Sequence, residues 1–376
     1  MKTALVHEWL TPEATGGSEL VVREILECIE ADLYALIDFE SVNPDSYLYQ
    51  RQIGTTFLQH FPQAKNGVQK YLPLLPLAIE QLNLEEYDLI LSSSHAVAKG
   101  VLTRPHQLHI CYCHTPMRYA WDLTFDYIQN SRLGKGIIGA FTRLILHYMR
   151  LWDTLSANRV DYFIANSKHI ARRIWRCYRR PAEVIYPPVN IDRFSLETQK
   201  EDFYLIVSRL VSYKRVSLVV EAFNQLGLPL VVIGSGPELP YLQKLARPNI
   251  QVLGMQSDGV VEDYMKRAKA FVYAACEDFG IAPVEAQACG TPVIAYGAGG
   301  TLETVRDVRQ FPETATGVWF SPQTPTGLQE AVEAFERDLQ GKIRPEQCYE
   351  NARQFSPTLF QQRYQKFIKQ CCNDWQ

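Results

Sequence analysis

The sequence predicts an α/β protein made of two Rossmann-like, doubly wound domains. Three observations predict it. Residues 200–335 alternate short apolar runs rich in β-branched side chains with segments of helical period. Residues 1–190 carry a less regular version of the same alternation. Pro187 and Pro188 stand between the two halves as a stiff hinge. The 376 residues also suit two domains at roughly 150 residues each.

In the second half, residues 203–207, 230–233, 250–253, 270–274, 292–296 and 317–320 read as strands. Amphipathic segments 217–225, 238–246, 260–268 and 284–289 lie between them, each bounded by Gly, Pro or Asn. That order builds βαβ units and a parallel sheet covered on both faces, which is why the strand runs are apolar throughout. In the first half, residues 3–7, 33–37, 87–92, 108–113, 161–165 and 183–185 read as strands, and 18–29 as the first helix. A long helical stretch at 132–155 interrupts the rhythm. A final helix at 358–371 follows the last strand. The expected division is 1–190, with 358–376 returning to it, and 196–355.

Composition excludes several classes. A formal charge of −3 gives no general affinity for nucleic acid. With 47% hydrophobic and 21% charged residues, the chain is not an intrinsically disordered one. No apolar run nears the roughly 18–20 residues that span a bilayer. The first residues run straight into His7 and Glu8, too soon for a secretory signal, so a cytoplasmic location is expected. Nine cysteines with no C-x-x-C spacing fit neither a disulfide framework nor a zinc site.

The sharpest motif runs from Glu277 through Phe279-Gly280-Ile281 and Glu285 to Gly290-Thr291-Pro292. It leaves a predicted strand end and enters a helix, where open α/β sheets bind ligands. The amides of Phe279, Gly280 and Ile281 would point out of the helix N-terminus toward an oxygen-rich ligand. Glu277 and Glu285, eight positions apart, suit vicinal hydroxyls. Singly, each reads as readily as a loop acid or a dipole-favoured helix acid. Arg209 and Lys214 follow the strand at 203–207 and suit a pyrophosphate, against a solvated charged loop that includes Arg215. Gly234-Ser235-Gly236 resembles a dinucleotide turn, but the third glycine and the later acid are missing.

In the first half, Gly16 and Gly17 precede the first helix and allow close approach of a phosphate or sugar, or form a plain turn capped by Ser18. His114, with Pro116, Arg118, Tyr119 and Trp121 after it, follows the strand at 108–113 and suits a sugar site. Asn166-Ser167-Lys168 reads as the N-cap of a helix from His169.

Together, Glu277-x7-Glu285, Ser208-Arg209 with Lys214, Gly16-Gly17 and His114-x-Pro116 resemble the retaining glycosyltransferases of family 4, of GT-B fold. The stretches 114–122, 132–155 and 161–194 are similar to bacterial mannosyltransferases of O-antigen and exopolysaccharide assembly. The resemblance implies two lobes facing a cleft, an N-terminal acceptor domain and a C-terminal donor domain. It implies that Arg209 and Lys214 hold the donor diphosphate, Glu285 the ribose, and Glu277 with the amides of Phe279-Gly280-Ile281 the transferred sugar. Gly17 would approach the pyrophosphate, His114 would line the sugar pocket, and Gly254, Met255 and Gln256 would lie near the base. Gly16 and Gly234 complete the implied donor contacts. No cofactor and no metal are implied, and the sequence has no D-x-D.

The expected activity is retaining transfer of a hexosyl group, mannose from GDP-mannose, to a saccharide or lipid-linked acceptor. A UDP-sugar enzyme of the same fold is the alternative, and a nicotinamide-dependent oxidoreductase a weaker one. A non-catalytic sugar-nucleotide-binding partner of another transferase is a third. The segment 132–155, with Lys135, Arg143, His147 and Arg150 among apolar residues, reads two ways. It is a peripheral membrane contact at the inner face, or a helix packed on the first domain with its cations solvated.

Overall fold

The computed structural model describes residues 1–12, 16–122, 124–125 and 136–375. It divides into two compact units, Met1–Pro188 with Phe360–Gln376, and Val189–Leu359. Both are parallel sheets flanked by helices.

The first unit contains β1 (Thr3–Leu10), β2 (Asp32–Asp38), β3 (Ile53–Gly54), β4 (Leu89–Ser94), β5 (Leu108–Cys113), β6 (Tyr162–Ala165) and β7 (Ala182–Val184). Their order is β3-β2-β1-β4-β5-β6-β7, all parallel. Every residue of β1, β4 and β5 is buried, as expected of strands covered on both faces. Order reverses between β1 and β4, the kind of switch point where such sheets bind ligands.

Helix α1 (Gly17–Cys28) lies after β1, α2 (Gly136–Ser156) after β5, and α3 (Lys168–Tyr178) after β6. The returning helix supplies Phe360, Tyr364, Ile368 and Cys371, at helical spacing, to a core shared with Leu5, Val21, Ile25 and Tyr112. Gln361 Nε2 donates to Glu24 at 2.7 Å and fixes its register against α1. On α2, Leu146, Met149 and Trp152 are buried, while Ile137, Phe141, Leu144, Tyr148, Leu151 and Leu155 face solvent.

The second unit contains β8 (Tyr204–Val207), β9 (Leu230–Ile233), β10 (Ile250–Gly254), β11 (Ala270–Tyr273), β12 (Val293–Tyr296) and β13 (Gly317–Phe320). Their order is β10-β9-β8-β11-β12-β13, with the reversal between β8 and β11. Helices α4 (Val216–Leu226), α5 (Leu239–Leu245), α6 (Asp258–Arg267) and α7 (Ile281–Ala288) connect them. Helices α8 (Pro325–Ala334), α9 (Pro345–Arg353) and α10 (Pro357–Trp375) close the chain, and α10 enters the first unit from Phe360 onward.

Several sequence expectations need correction. The first strand does not stop at His7. It continues to Leu10, and His7 and Glu8 are fully buried rather than a charged end. Edge strand β3 and the helices α8 and α9 add to the expected elements, and α8 buries Leu328, Ala331 and Val332 at helical spacing. Ser18 does not cap α1: Gly16 is the N-cap residue, and Ser18 Oγ donates to Glu19 at 2.9 Å. Ser167 does cap its helix, accepting from Ile170 N at 3.1 Å, with the helix starting at Lys168. Arg150 is not a solvated cation, because it donates to Ala120 O at 2.9 Å. Residues 132–135, including Lys135, lie outside the described residues.

Candidate active site

The loops leaving β8 and β11 meet at the switch point of the second unit. Lys214 Nζ bonds the Glu277 carboxylate, whose other oxygen accepts from Tyr273 OH at the end of β11. Side chains of Lys214 and Glu277 are only 15% and 19% exposed, so the pair is partly shielded from water. Arg209 lies on the same β8 loop, exposed and without an ion pair among the described residues.

Glycines hold that loop. A Cβ on Gly234 would come 1.8 Å from Ser208 O, and one on Gly236 2.3 Å from Leu210 O, and both residues have positive φ. Leu210 N then donates to Ser235 O at 2.8 Å. Gly234-Ser235-Gly236 is therefore a close backbone contact that seats the Arg209 loop. Gly254 O accepts from Gly234 N at 2.9 Å. Beyond it, Met255 is 79% exposed, and Gln256 Nε2 donates to Leu253 O at 2.9 Å.

A second glycine pair, absent from the sequence reading, supports Glu277. Gly299 forms a parallel bridge with Glu277, and Gly300 N donates to Glu277 O at 2.8 Å. A Cβ on Gly300 would meet Phe279 Cα at 2.3 Å. The signal was the glycine-rich run 297–300 after β12, a third strand end facing the same way. The Phe279 ring is buried, 5.3 Å from Phe355. Gly280 caps α7 at φ 93°, a conformation that favours glycine. Burial pushes the Glu285 carboxyl above its ordinary value, opposed by Arg193 and reinforced by Asp258. Arg193 and Asp258 are 3.4 Å apart.

In the first unit, the carboxyl ends of β1, β4 and β5 assemble a polar cluster beside the start of α1. His114 Nε2 bonds Ser93 Oγ at 2.8 Å, and its backbone O accepts from Asn166 Nδ2 at 3.0 Å. His7 Nδ1 lies 3.1 Å from both Ser93 O and Ser93 Oγ, and His7 Nε2 lies 3.8 Å from Glu19 Oε1. Burial pushes the His114 imidazole well below its ordinary value, and His95 and His7 add to the effect.

Glu8 accepts from the backbone N–H groups of His95, Ala96, Val97 and Ala98. Burial alone would raise its carboxyl, but His95 and these amides bring it below its ordinary value. His7, Glu8 and Ser93 were missed because polar residues inside an apolar run read as its end. Gly16 and Gly17 open α1 alongside. Among the described residues no group of three His, Cys, Asp or Glu side chains could hold a metal ion.

Residues 15–193 match the model for Glycosyltransferase Family 4, and residues 189–355 the model for Glycosyl transferases group 1. The chain is 24% identical over 370 residues to an uncharacterized glycosyltransferase of Methanocaldococcus jannaschii, covering 87% of each. It is 22% identical to the Homo sapiens alpha-1,3/1,6-mannosyltransferase, covering 80% of this chain and 78% of that one. Among solved structures, Anabaena HepE in complex with UDP matches at TM-score 0.67 and 17% identity, covering 98% of this chain and 100% of that one. Sucrose-phosphate synthase from Thermosynechococcus elongatus matches at TM-score 0.72 and 17% identity, covering 99% and 100%. The chain is thus a glycosyltransferase of GT-B fold, a family 4 domain followed by a group 1 domain.

Proposed function

We propose that the protein is a retaining, metal-independent hexosyltransferase that moves mannose from GDP-mannose to a saccharide or lipid-linked acceptor in cell-surface polysaccharide synthesis. The observation that carries the reading is the Lys214–Glu277–Tyr273 arrangement at the switch point of the group 1 unit. A cation there, with Arg209 beside it in sequence, stabilises the charge that develops on a departing nucleoside diphosphate. The acceptor hydroxyl attacks the anomeric carbon on the face the diphosphate leaves, and a diphosphate oxygen takes its proton. The new glycosidic bond therefore keeps its configuration.

Glu277 and the amides of Phe279, Gly280 and Ile281 receive the sugar hydroxyls, and Glu285 the ribose. Gly254, Met255 and Gln256 flank the base, and Gly234, which seats the Arg209 loop, completes the donor contacts. The first unit, residues 1–190 with 358–376, contributes Gly16, Gly17 and His114 and binds the acceptor. Residues 196–355 bind the donor. Mannose is favoured because the relatives include alpha-1,3/1,6-mannosyltransferases of Saccharomyces cerevisiae and Homo sapiens. The second reading, a UDP-sugar enzyme, draws on the Anabaena HepE structures with UDP and UDP-glucose.

A cytoplasmic location, with peripheral contact at the inner face of the membrane, belongs to the same proposal. No helix among the described residues is long and apolar enough to cross a membrane. Helix α2 instead presents a surface stripe, with Ile137 90% exposed, and Arg143 and His147 as the ionisable groups on its exposed side. Thermal-shift screening against GDP-, UDP- and ADP-sugars, followed by a transfer assay with the stabilising donor, tests the assignment. Stabilisation by GDP-mannose and an anomerically retained product are expected. An inverted product refutes the mechanism, and binding of NADH in place of any sugar nucleotide refutes the class.

A further inference from the structure

We propose that Ser93 and His7 are positioning residues that hold His114 in its Nδ1–H tautomer, so that it donates a hydrogen bond to a hydroxyl oxygen of the sugar substrate. The proposal rests on the reading above that His114 touches that sugar. Hydrogen-bond accounting leads to it. His7 Nδ1 lies 3.1 Å from the backbone oxygen of Ser93, which can only accept, so His7 Nδ1 carries a proton. That holds whether His7 bears one ring proton or two.

The same N–H also faces Ser93 Oγ at 3.1 Å, leaving that oxygen to accept on this side. Ser93 is fully buried, and among the described residues the only other partner of its hydroxyl is His114 Nε2, at 2.8 Å. The hydroxyl proton therefore goes to Nε2, since a buried donor left unused is costly. Nε2 of His114 accepts, and the ring's single proton sits on Nδ1.

His114 Nδ1 bonds no described residue, and the residue keeps 9% of its surface exposed. The ring is held on its other sides. Tyr112 lies 5.1 Å from it and His95 6.3 Å, and the backbone is tied to Ser94 O and Asn166. A neutral, oriented donor reads an oxygen and gives nothing to an N–H or to an apolar substituent. Ser93 thus acts on substrate recognition without touching the substrate.

The ring nitrogens can be read directly by two-bond 1H–15N spectra of the full-length labelled protein, with His114 assigned by its loss in His114→Gln. The expected wild-type pattern is a protonated Nδ1 and a bare Nε2 at neutral pH. A proton on Nε2, or on both nitrogens, overturns the tautomer assignment whatever the enzyme's activity. Ser93→Ala is expected to release the tautomer and to raise KM for the sugar substrate about five- to tenfold, the worth of one hydrogen bond. Ser93→Thr is expected to restore both. If Ser93→Ala fails to fold, Ser93→Cys, a weaker donor of similar shape, gives the same comparison. A released tautomer with unchanged KM overturns the contact between His114 and the sugar.

Discussion

Replacing Lys214 by alanine separates a catalytic cation from a structural one. The ammonium and the Glu277 carboxylate are 15% and 19% exposed, so their attraction is neither fully screened nor that of a dry interior. Two unit charges about 4 Å apart at an effective dielectric near 20 attract by about 4 kcal/mol. Desolvation returns most of this, leaving about 1 kcal/mol of net stability. Glu277 keeps Tyr273 OH as a partner in the variant, which limits the cost further. For a unit of this size that is a fall in Tm of about 2–4 °C.

Removing a group aimed at charge that develops during reaction costs about 2.7–4 kcal/mol, or 100- to 1,000-fold in kcat. The two magnitudes differ enough to be told apart. Transfer kinetics with the stabilising donor, run beside differential scanning calorimetry, should give a large kcat loss and a small Tm loss. Adding Glu277→Gln should recover the Tm but not the rate. A kcat within twofold of wild type removes Lys214 from the chemistry. A collapse in Tm matching the rate loss makes its role structural.

Gly300→Ala should destabilise the second unit by about 1–3 kcal/mol, because the new Cβ meets Phe279 Cα at 2.3 Å and backbone cannot swing aside. An unchanged urea midpoint and unchanged donor-induced thermal shift would refute that fit. Burial lowers the His109 imidazole from 6.5 to about 4, so the folded protein refuses a proton that the unfolded chain accepts near 6.5. Stability is full above that value and should decline as pH falls from 6.5 toward 4, by about 2 kcal/mol at pH 5. His95 and His114, also held below their ordinary value by burial, act in the same direction. Urea midpoints at pH 7 and 5 check this, and a flat profile contradicts it. Anionic vesicles at low salt should carry the protein upward in flotation, and Phe141→Glu with Leu151→Glu should leave it at the bottom. Wild-type protein that stays in the soluble fraction ends the assignment of α2 to lipid.

The sequence by itself determined the elements whose period is unambiguous. Strands β5, β9 and β13 begin and end where the apolar runs do, because a strand covered on both faces must be apolar throughout. It also marked the strand ends that carry Arg209, Lys214 and Glu277, which the structure sets at the β8–β11 reversal, and His114, which follows β5. Local pattern failed where a residue's role depends on what lies opposite. Gly234 and Gly236 resemble an incomplete dinucleotide turn, and only tertiary structure shows that they seat the Ser208–Leu210 loop. Glu8 reads as the polar end of a strand, yet four backbone amides of the segment that follows β4 let it lie inside one. The partnership of Lys214 with Glu277, 63 positions away, is likewise a product of the fold. Burial, pairing and tautomer belong to the three-dimensional neighbour, and a chain read in order does not contain that neighbour.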